Sequence, residues 1–270
     1  MPPPGSLYRW GQLVVLGPTR TPIDTGWRSM SVYNPPNASS KPSEVLELFA
    51  DAEESVFYLG GLDREIRLDQ HLLTSKEIFR LAWACNESQT YVSRSSVKIG
   101  VQSFTSILFE TENQRLQRTN TRRHLVQRKA GDFASVNQVV DLRETWRGCG
   151  YSSLALALQV RTAAGCNVRE IVAMVRGNDD PRFVGHVVWP KLGFDGPIPG
   201  EIWLRLPPYL RNPSGKPPGD PMYIREFLEQ GEEARTAWKE HGTGFTMRLS
   251  TNIRNPLVTQ KLKLLKMMHL

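Results

Sequence analysis

The stretch from Ala134 to Val175 limits the fold more than any other part of the chain. Ala134–Leu142 (ASVNQVVDL) puts Val136, Gln138, Val140 and Leu142 on one face at period two, which is the pattern of a strand. A glycine turn follows, Arg147-Gly148-Cys149-Gly150-Tyr151-Ser152, and opens a strongly apolar helix, SSLALALQVRTAAG, with Gly165 at the expected C-cap position. Arg169–Val175 (REIVAMV) is a second β-run. Two strands joined by a helix of that length pair side by side in parallel, through a right-handed crossover.

The flanking sequence supplies the rest of a sheet. Tyr91–Phe104 and Thr105–Leu116 are rich in Val, Ile, Thr and aromatics and are expected as strands, with Leu125–Gln127 in a third. Thr74–Cys85 is expected as a helix, capped by Thr74 with Glu77 completing a capping box. Ser43–Phe57 carries Val45, Leu46, Phe49, Ala52 and Val56 at helical spacing. Beyond the central unit come the compact string HVVWPKLGFD, a helix over Met222–Trp238 and a strand over Phe245–Ser250. The fold class is therefore α+β, a mixed β-sheet flanked by helices. Eight of the 19 prolines lie in the first 42 residues and eight more between Pro197 and Pro221. They divide the chain into an irregular segment 1–42, a core 43–195, and a C-terminal part 196–270 packed on that core.

Composition excludes several classes. With 40% hydrophobic and 23% charged residues the chain reads as an ordinary globular protein. No apolar run approaches the ~18 residues of a membrane span. The start, MPPPGSLYRWGQ, lacks a basic segment followed by a long apolar one, so no signal peptide is expected. Cys85, Cys149 and Cys166 are too few for a disulfide framework and show no zinc-ribbon spacing, so no metal site and a reducing, cytoplasmic setting are expected. The net charge of +7 is modest, but from Asn113 to Gly131 there is no acid, while Arg115, Arg118, Arg122, Arg123, Arg128 and Lys129 all fall there. Lys261, Lys263 and Lys266 form a second basic cluster. Such a stretch is either a solvated hairpin or a surface that meets phosphates. It contains no Phe, Tyr or Trp to stack on bases, only His124, which disfavours nucleic acid without excluding it.

The glycine turn has its own chemistry. Glycines turn the backbone tightly and leave N–H groups uncovered, and the helix N-terminus beside them adds about half a positive charge. Arg147 contributes a full one. The result is a seat for an anion. A dinucleotide fingerprint would need a third glycine at Ser153, and a Walker A loop would need GK[ST]; neither is present.

Arg147–Ser152 resembles the Q/R-x-x-G-x-G/A signature of the GNAT superfamily of N-acetyltransferases, with Ser152 in place of the last small residue. The string WPKLGF resembles the family's Y-x-K-x-G-F, found on the helix after the fifth strand. The resemblance covers about residues 91–195, with additions at both ends. It implies a GNAT-like acyl-CoA N-acyltransferase fold and acetyl-CoA as acyl donor. It also implies that the amides of Arg147, Gly148, Cys149, Gly150, Tyr151 and Ser152 hold the pyrophosphate, and that the pantetheine arm lies along Val140–Leu142. The tyrosine that often protonates the leaving thiolate in the family corresponds here to Trp189, whose indole cannot serve as that acid.

Acyl transfer to an amine needs a base, donors for a developing oxyanion and an acid for the thiolate. Glu110 and Glu112, two apart on one strand, Asp141 on the cofactor strand and His186 before WPKLGF are the catalytic candidates. The expected activity is transfer of an acetyl or other acyl group from acyl-CoA to an unidentified amine. The alternative is a slow or inactive relative that binds nucleic acid or an assembly partner through its basic segments. An enzyme using another phosphate-bearing cofactor at the same turn is the third reading.

Overall fold

A computed structural model describes residues 45, 48–49, 56–60, 65–99, 102–128, 131–175, 185–211, 220–252 and 259. Segment 1–42, most of the expected helix over Ser43–Phe57 and the lysines near the C-terminus lie outside the described residues.

The architecture is α+β, with a seven-stranded mixed sheet flanked by helices. Its strands are β1 (Val56–Tyr58), β4 (Gln89–Ile99), β5 (Gln102–Glu112), β6 (Thr121–Gln127), β7 (Phe133–Val139), β8 (Val168–Met174) and β9 (Thr246–Ser250), adjacent in that order. Neighbours from β4 to β7 are antiparallel, β7 and β8 are parallel, and β9 returns antiparallel to β8. The expected parallel pairing through a crossover helix is thus present. β1 pairs parallel to β4, so Val56 and Phe57 end in a strand and not in the helix their spacing suggests. β4 ends at Ile99, which pairs with Gln102 of β5, several residues before the boundary expected at Phe104, because both flanks are equally β-prone. A separate two-stranded hairpin is formed by β2 (Arg67–Leu68) and β3 (His71–Leu72).

Helix α1 (Ser75–Leu81) carries the expected capping box between Thr74 and Glu77. Helix α2 (Tyr151–Gly165) is buried almost all round, which is why its sequence is apolar on every face. Gly165 is its last residue and not the C-cap. Cys166 is the C-cap, and the left-handed residue that turns the chain is Asn167 at φ 57°.

Helix α3 (Gly185–Lys191) contains Pro190. Proline cannot donate to the His186 carbonyl one turn back, and the Trp238 indole N–H fills that acceptor at 2.8 Å. After the short helix α4 (Gly200–Trp203), the helix expected over Met222–Trp238 is two, α5 (Ile224–Glu229) and α6 (Glu232–His241). They break at Gly231, whose φ of 127° no helix accommodates. Ile202, Leu206, Phe227 and Trp238 share one apolar core with α2 and β8, so the C-terminal part packs on the sheet's helical side. No helix among the described residues is long and apolar enough to cross a membrane.

Candidate functional site

The site begins where β7 and β8 part. Their pairing runs from Phe133 opposite Val168 to Asn137 opposite Ala173 and goes no further. The cause is on the other edge of β7, where Arg123 faces Asn137 and Arg122 faces Val139, leaving Gln138 as an extra, bulged residue. A bulge bends its strand. Past it the chain is drawn to the loop after β5, with the Arg118 N–H on the Asp141 carbonyl and the Arg143 N–H on the Leu116 carbonyl, both at 3.0 Å. β8 leans the other way, and the Val175 N–H reaches the Phe245 carbonyl at 3.3 Å. Peptide groups alternate sides along an extended strand, so the N–H and C=O of Leu142 face the opening. Arg147 Nε takes that carbonyl at 3.1 Å, and the N–H remains.

The glycine turn forms one end of the opening. Gly148 and Gly150 have φ of 80° and 90°, a region that side chains rarely adopt. No side chain caps α2, whose first N–H groups have no acceptor within the helix. A Cβ on either glycine would meet nothing within 4 Å, so the turn borders open space. That space is a cleft of about 420 Å³, with Trp83, Trp146, Met174, Val188, Trp189 and Leu192 as apolar walls. Gln138, Asp141, Arg147, Ser152, Ser153 and Lys191 supply the polar side chains.

Of the sequence-derived binding residues, Val140, Leu142, Arg147, Gly148, Gly150, Tyr151 and Ser152 all line this cleft. Cys149 does not. It is buried, with its thiol on the Trp146 carbonyl at 3.0 Å. Arg147 is partly committed to the fold, since besides Leu142 it reaches Asp141 at 3.5 Å and so ties the end of β7 to the turn. The Tyr151 hydroxyl donates to the Trp83 carbonyl, and burial holds its pKa well above the ordinary value, so it is no acid for the cleft.

Among the catalytic candidates the cleft receives Asp141 alone. His186 turns from it toward α6, 3.4 Å from the Lys239 carbonyl, and burial lowers its pKa. Glu110 is held by Arg122 and Asn120, each at 3.2 Å, and Glu112 ends β5; neither lines the cleft. Trp189 does line it, packed edge-on against Phe194 with ring centroids 4.8 Å apart.

Among the cleft residues not singled out from sequence, three bear on its chemistry or its shape. Lys191 stands in the WPKLGF string, where its charge was the available signal. Gln138 lies in the β7 alternation, and the bulge that exposes it has no sequence mark. Its Oε1 is 3.3 Å from His124 Nε2, while His124 Nδ1 is 3.0 Å from the Ser106 hydroxyl. With an amide oxygen as partner, Nε2 must carry the proton and Nδ1 accepts from Ser106. Burial lowers the His124 pKa, which favours the neutral ring. The Gln138 NH2 is then free for the cleft.

Trp83, the third, is fixed from behind. Its indole N–H donates to Gln159 Oε1 at 2.8 Å. Gln159 Nε2 in turn reaches Ser135 Oγ and Asn137 Oδ1, both at 3.1 Å. The guanidinium of Arg123, fully buried, sits 4.5 Å from the centre of the Trp83 ring and donates to the Ala82 carbonyl at 2.6 Å. Burial pushes its pKa down to about 9.

No protein-family model, curated protein or solved structure matches the chain. Its site therefore stands on its own geometry.

The basic stretch is largely neutralised. Arg115 pairs with Glu87, Arg118 with Glu144, Arg122 with Glu110, and Arg128 with both Asp132 and Glu170. Arg123 is inside. A phosphate backbone would have to displace these acids before it released any counterion. A short RNA is accordingly expected to bind weakly at physiological salt in a filter or anisotropy assay; submicromolar retention there would show that the arginines are free to engage it.

Proposed function

We propose that this protein is an acyl-CoA-dependent N-acyltransferase of the GNAT type, moving an acetyl or other acyl group to an amine. One observation carries the reading: the uncapped N-terminus of α2, behind two left-handed glycines, opens into a cleft made by the parting of β7 and β8. The mixed sheet with its β7–α2–β8 crossover supports the family resemblance. Three free, buried cysteines accord with a reducing, cytoplasmic setting.

The residues fit such a donor. The amides from Gly148 to Ser152 would take its pyrophosphate, where no side chain competes. Lys191 and Arg147 add positive charge at the same cleft. The peptide groups of Val140 and Leu142 would hold the pantetheine arm, and the apolar walls exclude water around it. When bound, acyl-CoA supplies an acyl group activated as a thioester. The chain's task is then to polarise, orient and move protons. The Leu142 N–H and the Gln138 NH2 are donors for charge developing on a carbonyl oxygen. Asp141, in ion pair with Arg147, is the carboxylate nearest to hand for an incoming ammonium.

The thiolate's proton is the weak point. The indole of Trp189 has no proton acidic enough, Tyr151 is committed to Trp83, and His186 faces α6. Water is left as the donor. A positioned acid contributes roughly 10²–10⁴-fold, so turnover should be slow but present. Free thiol released from acetyl-CoA, followed across a panel of amines at several pH values, tests this. His186→Gln is expected to change the rate by less than about tenfold, and Trp189→Tyr to raise it by about tenfold or more, by returning a hydroxyl to the cleft. The same gap favours the second reading, a GNAT-fold binding module. Absence of thiol release above background, with acetyl-CoA binding demonstrated, would establish that one instead.

A further inference from the structure

We infer that His71, Glu77 and Cys166 form a binding site for a borderline-soft divalent cation, Zn²⁺ foremost. The three come from separate elements: His71 from β3, Glu77 from α1 and Cys166 from the C-cap of α2. Their donor atoms all lie within 4.8 Å of one another. Glu77 Oε1 is the hub, 2.9 Å from His71 Nε2 and 3.4 Å from Cys166 Sγ.

The carboxylate is already fixed for this role. Its other oxygen, Oε2, accepts from the Thr74 N–H at 2.8 Å and from the Thr74 hydroxyl at 3.1 Å. The capping box thus orients Glu77 so that Oε1 alone faces the thiol and the imidazole. Such support behind a ligand is what a metal site requires. The spacing is close to what a tetrahedral centre needs. Bonds of about 2.0–2.1 Å to N and O and about 2.3 Å to S put ligands roughly 3.4–3.6 Å apart. The Cys–Glu distance already agrees; His71 has to withdraw from Glu77 by about half an ångström and to swing toward Cys166, from within 4.8 Å to about 3.6 Å. It can do so, because its side chain is 40% exposed.

Donor type selects the ion. One thiolate, one imidazole and one carboxylate suit Zn²⁺ and Co²⁺, while Mg²⁺ and Ca²⁺ want oxygen alone. Three protein ligands leave a fourth position for water, on the exposed side next to His71. On binding, the Cys166 S–H bond breaks, the proton leaves to solvent and the sulfur lone pair goes to the metal. The site lies at the opposite end of α2 from the cleft, about 22 Å along its 15 residues. Its effect is to clamp the β2–β3 hairpin to α1 and α2.

The full chain, stripped with a chelator, is titrated with Co²⁺. The expected result is one equivalent bound at micromolar affinity or tighter, with the visible bands of four-coordinate cobalt and a thiolate charge-transfer band, all displaced by Zn²⁺. Cys166→Ala should remove the charge-transfer band, and His71→Ala should weaken binding at least about tenfold. Should Cys166→Ala fail to fold, His71→Ala decides, since its exposed side chain leaves the core intact. Absence of the bands, their persistence in Cys166→Ala, unchanged affinity in His71→Ala, or equal binding of Mg²⁺ would each overturn the assignment and leave a hydrogen-bonded triad.

Discussion

Gly150→Glu is expected to weaken acetyl-CoA binding by at least about 100-fold, roughly 3 kcal/mol. The Glu side chain would enter the open space beside the turn and bring a negative charge to where the proposed donor's pyrophosphate would sit. It also forces a side chain to a φ of 90°, at a cost of about 1–2 kcal/mol in stability. Gly150→Ala carries the same backbone cost without the charge and serves as the control. Calorimetric titration, with near-ultraviolet circular dichroism to show that the tertiary structure survives, reads both. If Gly150→Glu binds as the parent does, the turn is a connector and the cleft has another use.

The second large effect is on stability. Gln159→Leu should lower the melting temperature by about 10 °C. The side chain is fully buried and makes hydrogen bonds to Trp83, Ser135 and Asn137. Leucine fills most of the space but leaves an indole N–H, a hydroxyl and an amide without partners in the interior. Each orphan costs about 1 kcal/mol or more, and at about 2–4 °C per kcal/mol in a chain of this size the three together lower the melting temperature by about 10 °C. The loss should reach the cleft as well, since Trp83 is one of its walls. Differential scanning fluorimetry measures it, and a fall below about 3 °C would mean that the network relaxes or that water replaces it.

Local pattern made the centre of the fold legible. In Ala134–Val175 the period of two, the glycines and the apolar helix all point to one arrangement, and β7, α2 and β8 follow it. Elsewhere two local preferences competed. Val56 and Phe57 continue a helical spacing yet pair with β4, a long-range contact that residues 43–57 do not announce. Met222–Trp238 becomes two helices, Ile224–Glu229 and Glu232–His241, because Gly231 demands a backbone that no helix accommodates.

The site divides in the same way. Its glycines were readable because only they tolerate the turn. Trp83 and Gln138 were not, because their place depends on a tertiary hydrogen bond 76 residues long and on a bulge. His186 has the right chemistry on the wrong side of α3: the helix turns Val188 and Trp189 to the cleft and His186 to α6.

The wedge between β7 and β8 also bears on how this protein tolerates change. On the proposed reading most of its donors would be peptide N–H groups at Val140, Leu142 and the α2 turn, and a peptide group is the same whatever side chain hangs from it. Substitution can therefore drift freely through most of that strand provided the dihedral angles and the N–H survive. The strict demands reduce to two: no proline at the donor positions, and no side chain at Gly148 and Gly150. A pocket that bound through such groups could keep a ligand through long sequence divergence. It will carry its history in a few glycines and a backbone trace, with little in the residues that surround them.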